Sequence, residues 1–243
     1  MQFNALIEAF KAKGIAASIY FKDQTESTQV DARTHKYMPD EDLAVFATNV
    51  QIMGEGRTGP WRSAAGNLSV TWAINDLPVE LGYLIATVAV WRMLKERYGV
   101  SAAIKWPNDV IVGRPPQKCA GILCEMAEDQ QHTLLGIGIN IAWSPTGGSC
   151  VSEISNLPLE DVVVTLTSFI LETRNMPTDV LVSQYTSSMI DLHRRASTPT
   201  YGTFLIAGIT PECCLIGQLE SGERVVLGSI RASAELTFLD SGY

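Results

Sequence analysis

Two stretches of this 243-residue chain concentrate side chains able to do chemistry. The first, Gln51-Ile52-Met53-Gly54-Glu55-Gly56-Arg57-Thr58-Gly59-Pro60-Trp61, is broken by glycine at 54, 56 and 59. Such a loop can adopt positive φ and bring backbone N–H groups close to an anion. Arg57 adds a permanent planar cation suited to carboxylate or phosphate, and Trp61 an apolar lid. The second, Lys105-Trp106-Pro107-Asn108-Asp109, is followed by Lys118-Cys119-Ala120-Gly121-Ile122-Leu123. Lys105 and Lys118 can neutralise phosphates and a reacting carboxylate. Asn108 can offer its amide to phosphate oxygens, and Asp109 a carboxylate oxygen to Mg²⁺. Plainer readings stand beside each of these. Glycine loops often merely turn a hairpin, an indole often anchors a core, and Asn-Asp after proline often marks only a turn. The loop does not fit G-x-x-x-x-G-K-[ST] and so is not a P-loop.

A third stretch, Leu134-Leu135-Gly136-Ile137-Gly138-Ile139-Asn140-Ile141, alternates with period two. Ile137, Ile139 and Ile141 share one face, while Gly136, Gly138 and Asn140 share the other. A strand baring glycine on one face leaves room for a flat ring, or for close approach of another backbone.

The elements that position these residues follow from local signals. A helix over 3–13 ends at Gly14, a usual C-cap residue. A strand over 15–21 leads to Glu26-Ser27-Thr28-Gln29, where Ser27 or Thr28 can cap a helix running towards His35. Strands over 43–48 and 68–74 flank the glycine loop, and Pro78 opens a helix over 79–98 stopped by Gly99. Short β runs at 102–105, 110–112, 120–125 and 133–141, separated by turn residues, suggest antiparallel hairpins rather than βαβ crossovers. Helices follow near 159–174 and 178–193. This order predicts an α+β domain, residues 1–195, with helices on one face of a mostly antiparallel sheet. Residues 196–243, with β runs between 203 and 238, read as a small all-β module.

Composition narrows the function classes. Hydrophobic residues make up 46% of the chain, enough for a generous core. Eighteen basic against 26 acidic residues give a formal charge of −8, which argues against nucleic-acid binding. The five cysteines lack C-x-x-C spacing and have three histidines for company, so reduced thiols in a cytoplasmic protein are a simpler reading than a zinc site. The N-terminus has no signal-peptide core, and the apolar stretch 81–94 is shorter than the roughly 20 residues that span a bilayer.

In order along the chain, five segments resemble the motifs of biotin–protein ligases. Glu26–Gln29 is similar to (D/E)-S-T-(N/Q), Gln51–Trp61 to Q-x-x-G-R-G-R-x-G-x-x-W, and Lys105–Asp109 to K-W-P-N-D. Lys118–Leu123 fits K-x-A-G-I-L, and Gly136–Asn140 fits G-x-G-I-N. The resemblance implies a class II synthetase-like domain with a C-terminal SH3-like β-barrel, in a form lacking the DNA-binding domain of some members. It implies an enzyme that activates biotin with ATP and Mg²⁺ as biotinyl-5′-AMP. That enzyme then transfers biotin to a lysine of a biotin carboxyl carrier domain, working as a monomer or homodimer without nucleic acid or membrane.

Carried onto matching positions, Ser27, Thr28 and Gln51 would bond the ureido head of biotin. Gln29, Gly54, Gly121 and Gly138 would line its site, with Glu55, Gly56 and Arg57 on the covering loop. Lys118 would hold the biotin carboxylate, and Lys105 would face the phosphates. Trp61, Asn108 and Asn140 would serve ATP, and Asp109 the metal. Lys118, Arg57 and Lys105 would be the catalytic cations. One departure stands out: the family's first loop arginine is Glu55 here. A carboxylate beside an acyl phosphate repels it, so Glu55 is expected to point outward. A lipoate or octanoyl ligase of related fold would carry R-R-x-S-G-G-G, absent here. A binder whose chemistry has lapsed is the other alternative.

Overall fold

Alternation along four central strands decides which face of the main sheet is core and which is left for a site. The computed structural model describes residues 1–228 and 232–239. In order, its elements are α1 (Phe3–Lys13), β1 (Ser18–Thr25), α2 (Thr28–Arg33), β2 (Leu43–Gln51), β3 (Gly54–Glu55), β4 (Pro60–Trp61) and β5 (Leu68–Asn75). Next come α3 (Val79–Arg92), which runs on as a π-helical turn over Met93–Arg97, then β6 (Ala102–Lys105), β7 (Asp109–Val112), β8 (Gln117–Met126) and β9 (His132–Ile139). The chain continues through α4 (Leu159–Arg174), α5 (Thr178–Ser188), β10 (Arg195–Thr198), β11 (Gly202–Ile209), β12 (Leu215–Gln218), β13 (Arg224–Leu227), α6 (Ala232–Glu235) and β14 (Thr237–Phe238).

The main sheet has seven strands in the order β1-β2-β5-β9-β8-β7-β6. All its pairs are antiparallel except β1 with β2, which are parallel and joined through α2. Val45, Val70, Trp72, Leu135, Ile137 and Ile122 point to one face and join the main core. There α3 packs on β8 and β9, and α4 on α3. The Trp72 indole, fully buried, donates to Thr167 Oγ1 of α4 at 2.8 Å. The helices are not all on this side. Short α2 lies on the opposite face, where Ala32 packs with Ala44, Phe46, Ala73 and Leu134. That face is polar or bare next to α2, with Ser69, Thr71, Gly121, Gly136 and Gly138 on it, and so it can hold a ligand.

The boundaries of α1 and α4 match the sequence expectation, and Gly14 caps α1 at φ 65°. Helix α5 stops at Ser188 rather than near His193. Met189 is extended, and the next N–H, of Ile190, bonds the Ile104 carbonyl of β6. The C-terminal segment forms a five-stranded antiparallel sheet, β13-β12-β11-β10-β14, with no closed barrel among the described residues. Residues 229–231 and 240–243 of the expected 196–243 module lie outside the described residues. The turn before β12 and helix α5 both brace the Trp106–Pro107 segment. Trp106 Nε1 donates to the Cys213 carbonyl at 2.8 Å, and Tyr185 Oη of α5 donates to the Pro107 carbonyl at 2.8 Å.

Candidate active site

Strand register builds the floor. Ser69, Gly138, Gly121 and Asp109 lie in one row across β5, β9, β8 and β7, and Thr71, Gly136 and Leu123 in the next. Two adjacent glycines in the first row leave a trough, and the chain fills part of it with its own ring. Trp61 of β4 folds over Gly138 and Gly121, so close that a Cβ at Gly138 would stand 2.3 Å from the indole Cε2. The flat ring for which the glycine face leaves room is therefore the indole of Trp61. The remaining space is a narrow cavity walled by α2, the glycine loop and these strands.

One end of the cavity is neutral and polar. Gln51 Oε1 accepts from the Thr28 N–H at 2.9 Å and from Thr28 Oγ1 at 3.1 Å. Its amide nitrogen consequently turns away, towards Gly54, where a Cβ would sit 2.3 Å from it. Thr28 and Thr71 hydroxyls meet at 3.0 Å, and Thr71 donates to Gln29 Oε1 at 3.1 Å. Gln29 Nε2 donates in turn to Glu125 at 3.0 Å. Gly136 is glycine because a methyl there would lie 2.3 Å from Gln29 Oε1. Ser27, the residue before α2, makes no side-chain cap, and its buried Oγ has no partner. A buried hydroxyl left unbonded costs about 1–3 kcal/mol, so it is suited to a ligand's polar group.

The other end is cationic. Lys118 Nζ stands 2.6 Å from Asp109 Oδ1, an ion pair without hydrogen-bond alignment, and 5.5 Å from the Trp61 ring centroid. Arg57 Nε donates to Asn108 Oδ1 at 3.1 Å, while Asn108 Nδ2 donates to the Ile122 carbonyl at 2.8 Å. Asn108 thus fixes Arg57 at the rim, and both ends of its amide are engaged. Thiol chemistry is excluded nearby: burial pushes the Cys119 thiol up to about 12 and Cys124 well above its ordinary value.

Most of the residues singled out in the sequence converge on this cavity. Ser27, Thr28, Gln29 and Gln51 line one end, and Glu55, Gly56, Arg57 and Trp61 the roof. Asn108, Lys118, Gly121 and Gly138 complete the lining. Four others lie elsewhere. Gly54 borders an outer groove with Ile52, Met53 and Tyr83. Lys105 and Asp109 line a second cavity, which shares Arg57 and Asn108 with the first and is also lined by Ile206, Leu215 and Phe238. Asn140 lines none of these cavities. Strand β9 ends at Ile139, the Asn140 N–H still donates across to the Cys119 carbonyl at 2.7 Å, and the N–H groups of Ile141, Ala142 and Trp143 then bond Asn67 Oδ1 at 2.9–3.0 Å. The Asn140 side-chain amide lies near the Lys118 carbonyl at 3.4 Å. Asp109 is paired with Lys118, and among the described residues no group of three or more His, Cys, Asp or Glu could hold a metal ion. A lone carboxylate at Asp109 suits at most one ligand position on a magnesium ion whose other ligands are phosphate oxygens and water.

Sequence reading missed Thr71, Glu125 and Arg33. Thr71 had a signal: Ser69 and Thr71 are polar on alternate positions of β5. Arg33 and Glu125 had none, because their contacts join segments 92 residues apart. Arg33 Nη2 bonds Glu125 Oε2 at 2.7 Å and Glu55 Oε2 at 3.0 Å. Its guanidinium is held further into the charged form, chiefly by Glu125, with burial opposing and Glu55 adding. Glu55 does turn out of the cavity, towards α2.

Comparison with known proteins agrees with this geometry. Residues 20–141, just over half of the chain, match the model of the biotin/lipoate A/B protein ligase family, and the chain belongs to that family. It is 31% identical over 147 residues to the bifunctional ligase/repressor BirA of Bacillus subtilis (strain 168), covering 56% of this chain and 44% of that protein. It is 34% identical over 138 residues to the biotin–[acetyl-CoA-carboxylase] ligase of Paracoccus denitrificans, covering 52% and 55%. The chain thus spans about half the length of the curated relatives it matches. The biotin protein ligase of Aquifex aeolicus, solved with biotin and ATP, superposes with a TM-score of 0.72 at 20% identity over 92% of this chain and 99% of that one. The Leishmania major biotin protein ligase, solved with biotinyl-5-AMP, gives 0.63 at 21% over 88% and 99%. Both share this fold.

Proposed function

We propose that the chain activates biotin with ATP and passes it to a lysine of a biotin carboxyl carrier domain. The observation that carries this reading is the polarity of the cavity: neutral donors and acceptors at one end, bare glycine and indole in the middle, cations at the exit. Biotin has the same order, with a ureido head, an apolar thioether ring and chain, and a terminal carboxylate. Ser27 Oγ, Thr28 Oγ1 and Gln51 Nε2 meet the head, whose neutral groups need hydrogen bonds rather than charge. The Trp61 indole, seated on Gly121 and Gly138, offers its apolar face to the ring, and Gln29 and Gly136 set the floor beneath the head.

Lys118 receives the carboxylate, exchanging its pairing with Asp109 for the substrate. The carboxylate oxygen attacks the α-phosphorus of ATP, pyrophosphate leaves, and biotinyl-5′-AMP remains. Two anions meet in this step, so Lys118, Arg57 and Lys105 act by stabilising charge. The carrier lysine amine then attacks the acyl carbon, releasing AMP and losing a proton. No enzyme nucleophile is required. Gly54, Glu55 and Gly56 keep the loop closed over the adenylate and exclude water.

The second cavity, between Lys105-Trp106-Pro107-Asn108-Asp109 and the C-terminal sheet, suits the polyphosphate. Mg²⁺ would arrive with the nucleotide, leaving Asp109 as a single supplementary ligand once Lys118 is released. Asn140 supports this wall through the Lys118 backbone. The catalytic unit is taken as 1–195 and the tail, 196–243, as SH3-like, working in the cytoplasm. Among the described residues no helix is long and apolar enough to cross a membrane. Incubating the chain with biotin, MgATP and a purified carrier domain should add one biotinyl mass to the carrier lysine. An unmodified carrier, with folded enzyme and a competent control ligase, would refute the reading.

A further inference from the structure

The loop over the cavity is short and glycine-broken, and it carries Ile52 and Met53 exposed. Its own two-stranded ladder supplies little closure: β3 and β4 pair through two residues each, Gly54 with Trp61 and Glu55 with Pro60. Besides the backbone bonds of Ile52 and Met53, the Arg57–Asn108 bond and the seating of Trp61, an ion pair fastens it to the body. The Glu55 carboxylate meets Arg33 at the C-terminal end of α2, and the same guanidinium nitrogen reaches Glu125 of β8. Glu125 is not a passive counter-ion, because the same Oε2 accepts from Gln29 Nε2. That bond sets which way the Gln29 amide faces, so its oxygen accepts from the Thr71 hydroxyl, which meets that of Thr28, whose backbone N–H donates to Gln51. A single cation therefore joins the roof of the cavity to the hydrogen-bonded row on its floor.

We propose that Arg33 is a positioning residue that latches the β3–β4 loop over the cavity through Glu55 and orders the polar end of the cavity through Glu125 and Gln29. The proposal rests on the ligase reading for its kinetic consequence and on the ion pairs alone for its structural one. The three side chains are about one-third to one-half exposed, at 31%, 46% and 32% for Arg33, Glu55 and Glu125. The latch is consequently modest and salt-sensitive, worth about three- to fivefold in loop opening, and one that ligand binding can reinforce.

The test uses the full chain and reads native-state trypsin cleavage after Arg57, in the loop, by mass spectrometry. Glu55→Gln and Arg33→Gln should each raise the cleavage rate about three- to fivefold at low salt, with unchanged thermal melting. The double variant should be no faster than either single one, because both break the same pair. Arg33→Lys, which keeps the charge, should recover part of the protection. Raising salt should accelerate cleavage of the wild type and leave Glu55→Gln unchanged. In steady state, Arg33→Gln should raise KM for biotin by a similar factor and leave kcat in place, a split that general destabilisation does not give. Cleavage of Glu55→Gln at the wild-type rate, or rates that multiply in the double variant, overturns the latch. A shifted cleavage pattern in a protein that performs no biotin-dependent chemistry keeps the latch and removes the ligase reading.

Discussion

Replacing Gly138 by alanine puts a methyl group into the most crowded point of the cavity. The new Cβ would lie 2.3 Å from Trp61 Cε2, 2.5 Å from Cζ2 and 2.6 Å from Nε1. Non-bonded carbons rest at about 3.5–4.0 Å, so the indole has to retreat by roughly 1.2 Å or more. Retreat lifts β4 and the loop, and removes the ring from beneath Lys118. Overpacking of this kind costs about 1–3 kcal/mol locally, and a misplacement of about 1 Å in a reacting assembly costs on the order of 100-fold in rate. We therefore expect kcat/KM for biotin activation to fall about 10- to 100-fold. The methyl faces the cavity and not the helix-covered core, and alanine is favoured over glycine within a strand by roughly 0.5–1 kcal/mol. The melting temperature should accordingly move by no more than a few degrees. Initial rates of pyrophosphate exchange across a biotin titration, with melting curves on the same samples, measure both. Activity within twofold of wild type in a protein of unchanged stability would show that the indole is not held against Gly138, and the account of the glycine floor would fail.

Two further outcomes follow from the charges. Lys118→Ala removes the cation expected to receive the carboxylate and leaves Asp109 facing the cavity unpaired. Adenylate formation should be undetectable at biotin concentrations that saturate the wild type, and near-normal formation measured by thin-layer separation of labelled ATP products refutes the assigned role. Acid stability should be set partly by Glu41 and Asp129. Burial alone would raise both carboxyls, but backbone and side-chain hydrogen bonds outweigh it, from Met38 N–H and Tyr20 to Glu41 and from Gln131, His132 N–H and the His132 ring to Asp129. Both are held below their ordinary values of 4.5 and 3.8. The stabilisation is then complete above the ordinary carboxylate range and lost as pH falls through the depressed folded values. Denaturant midpoints should be flat from pH 6 to about pH 5 and fall below about pH 4, and a Glu41→Gln/Asp129→Asn variant should show a shallower acid limb. An unchanged limb contradicts the assignment.

Much of this architecture is written in local patterns. Gly14 and Pro78 mark helix ends, the alternation through 134–139 names both faces of β9, and the motif order brings Ser27, Arg57, Asn108 and Lys118 to one cavity. What the sequence left open depends on chain segments meeting at long range. The parallel pairing of β1 with β2 places α2 on the face opposite α3, and no periodicity within α2 announces that. Asn140 follows the glycine alternation in sequence, but its amide lies near the Lys118 carbonyl, and the chain just beyond it is gathered by Asn67, 73 residues before Asn140. Asn108 reads in sequence as a phosphate ligand, whereas its bond to Arg57 is not legible there, because it depends on the loop folding back onto the Pro107 turn. Glu55 was legible as an anomaly, whereas its partner was not: an arginine at the end of a six-residue helix gives no local sign that it will bridge two carboxylates.

The central claim is that this cavity joins biotin to the α-phosphate of ATP, and biotin-dependent exchange of labelled pyrophosphate into ATP tests it without needing the carrier. The account predicts exchange that requires biotin and Mg²⁺, saturates with biotin, and is absent with lipoate. Folded, pure protein that performs no exchange at saturating biotin, or that exchanges equally well with lipoate, contradicts it.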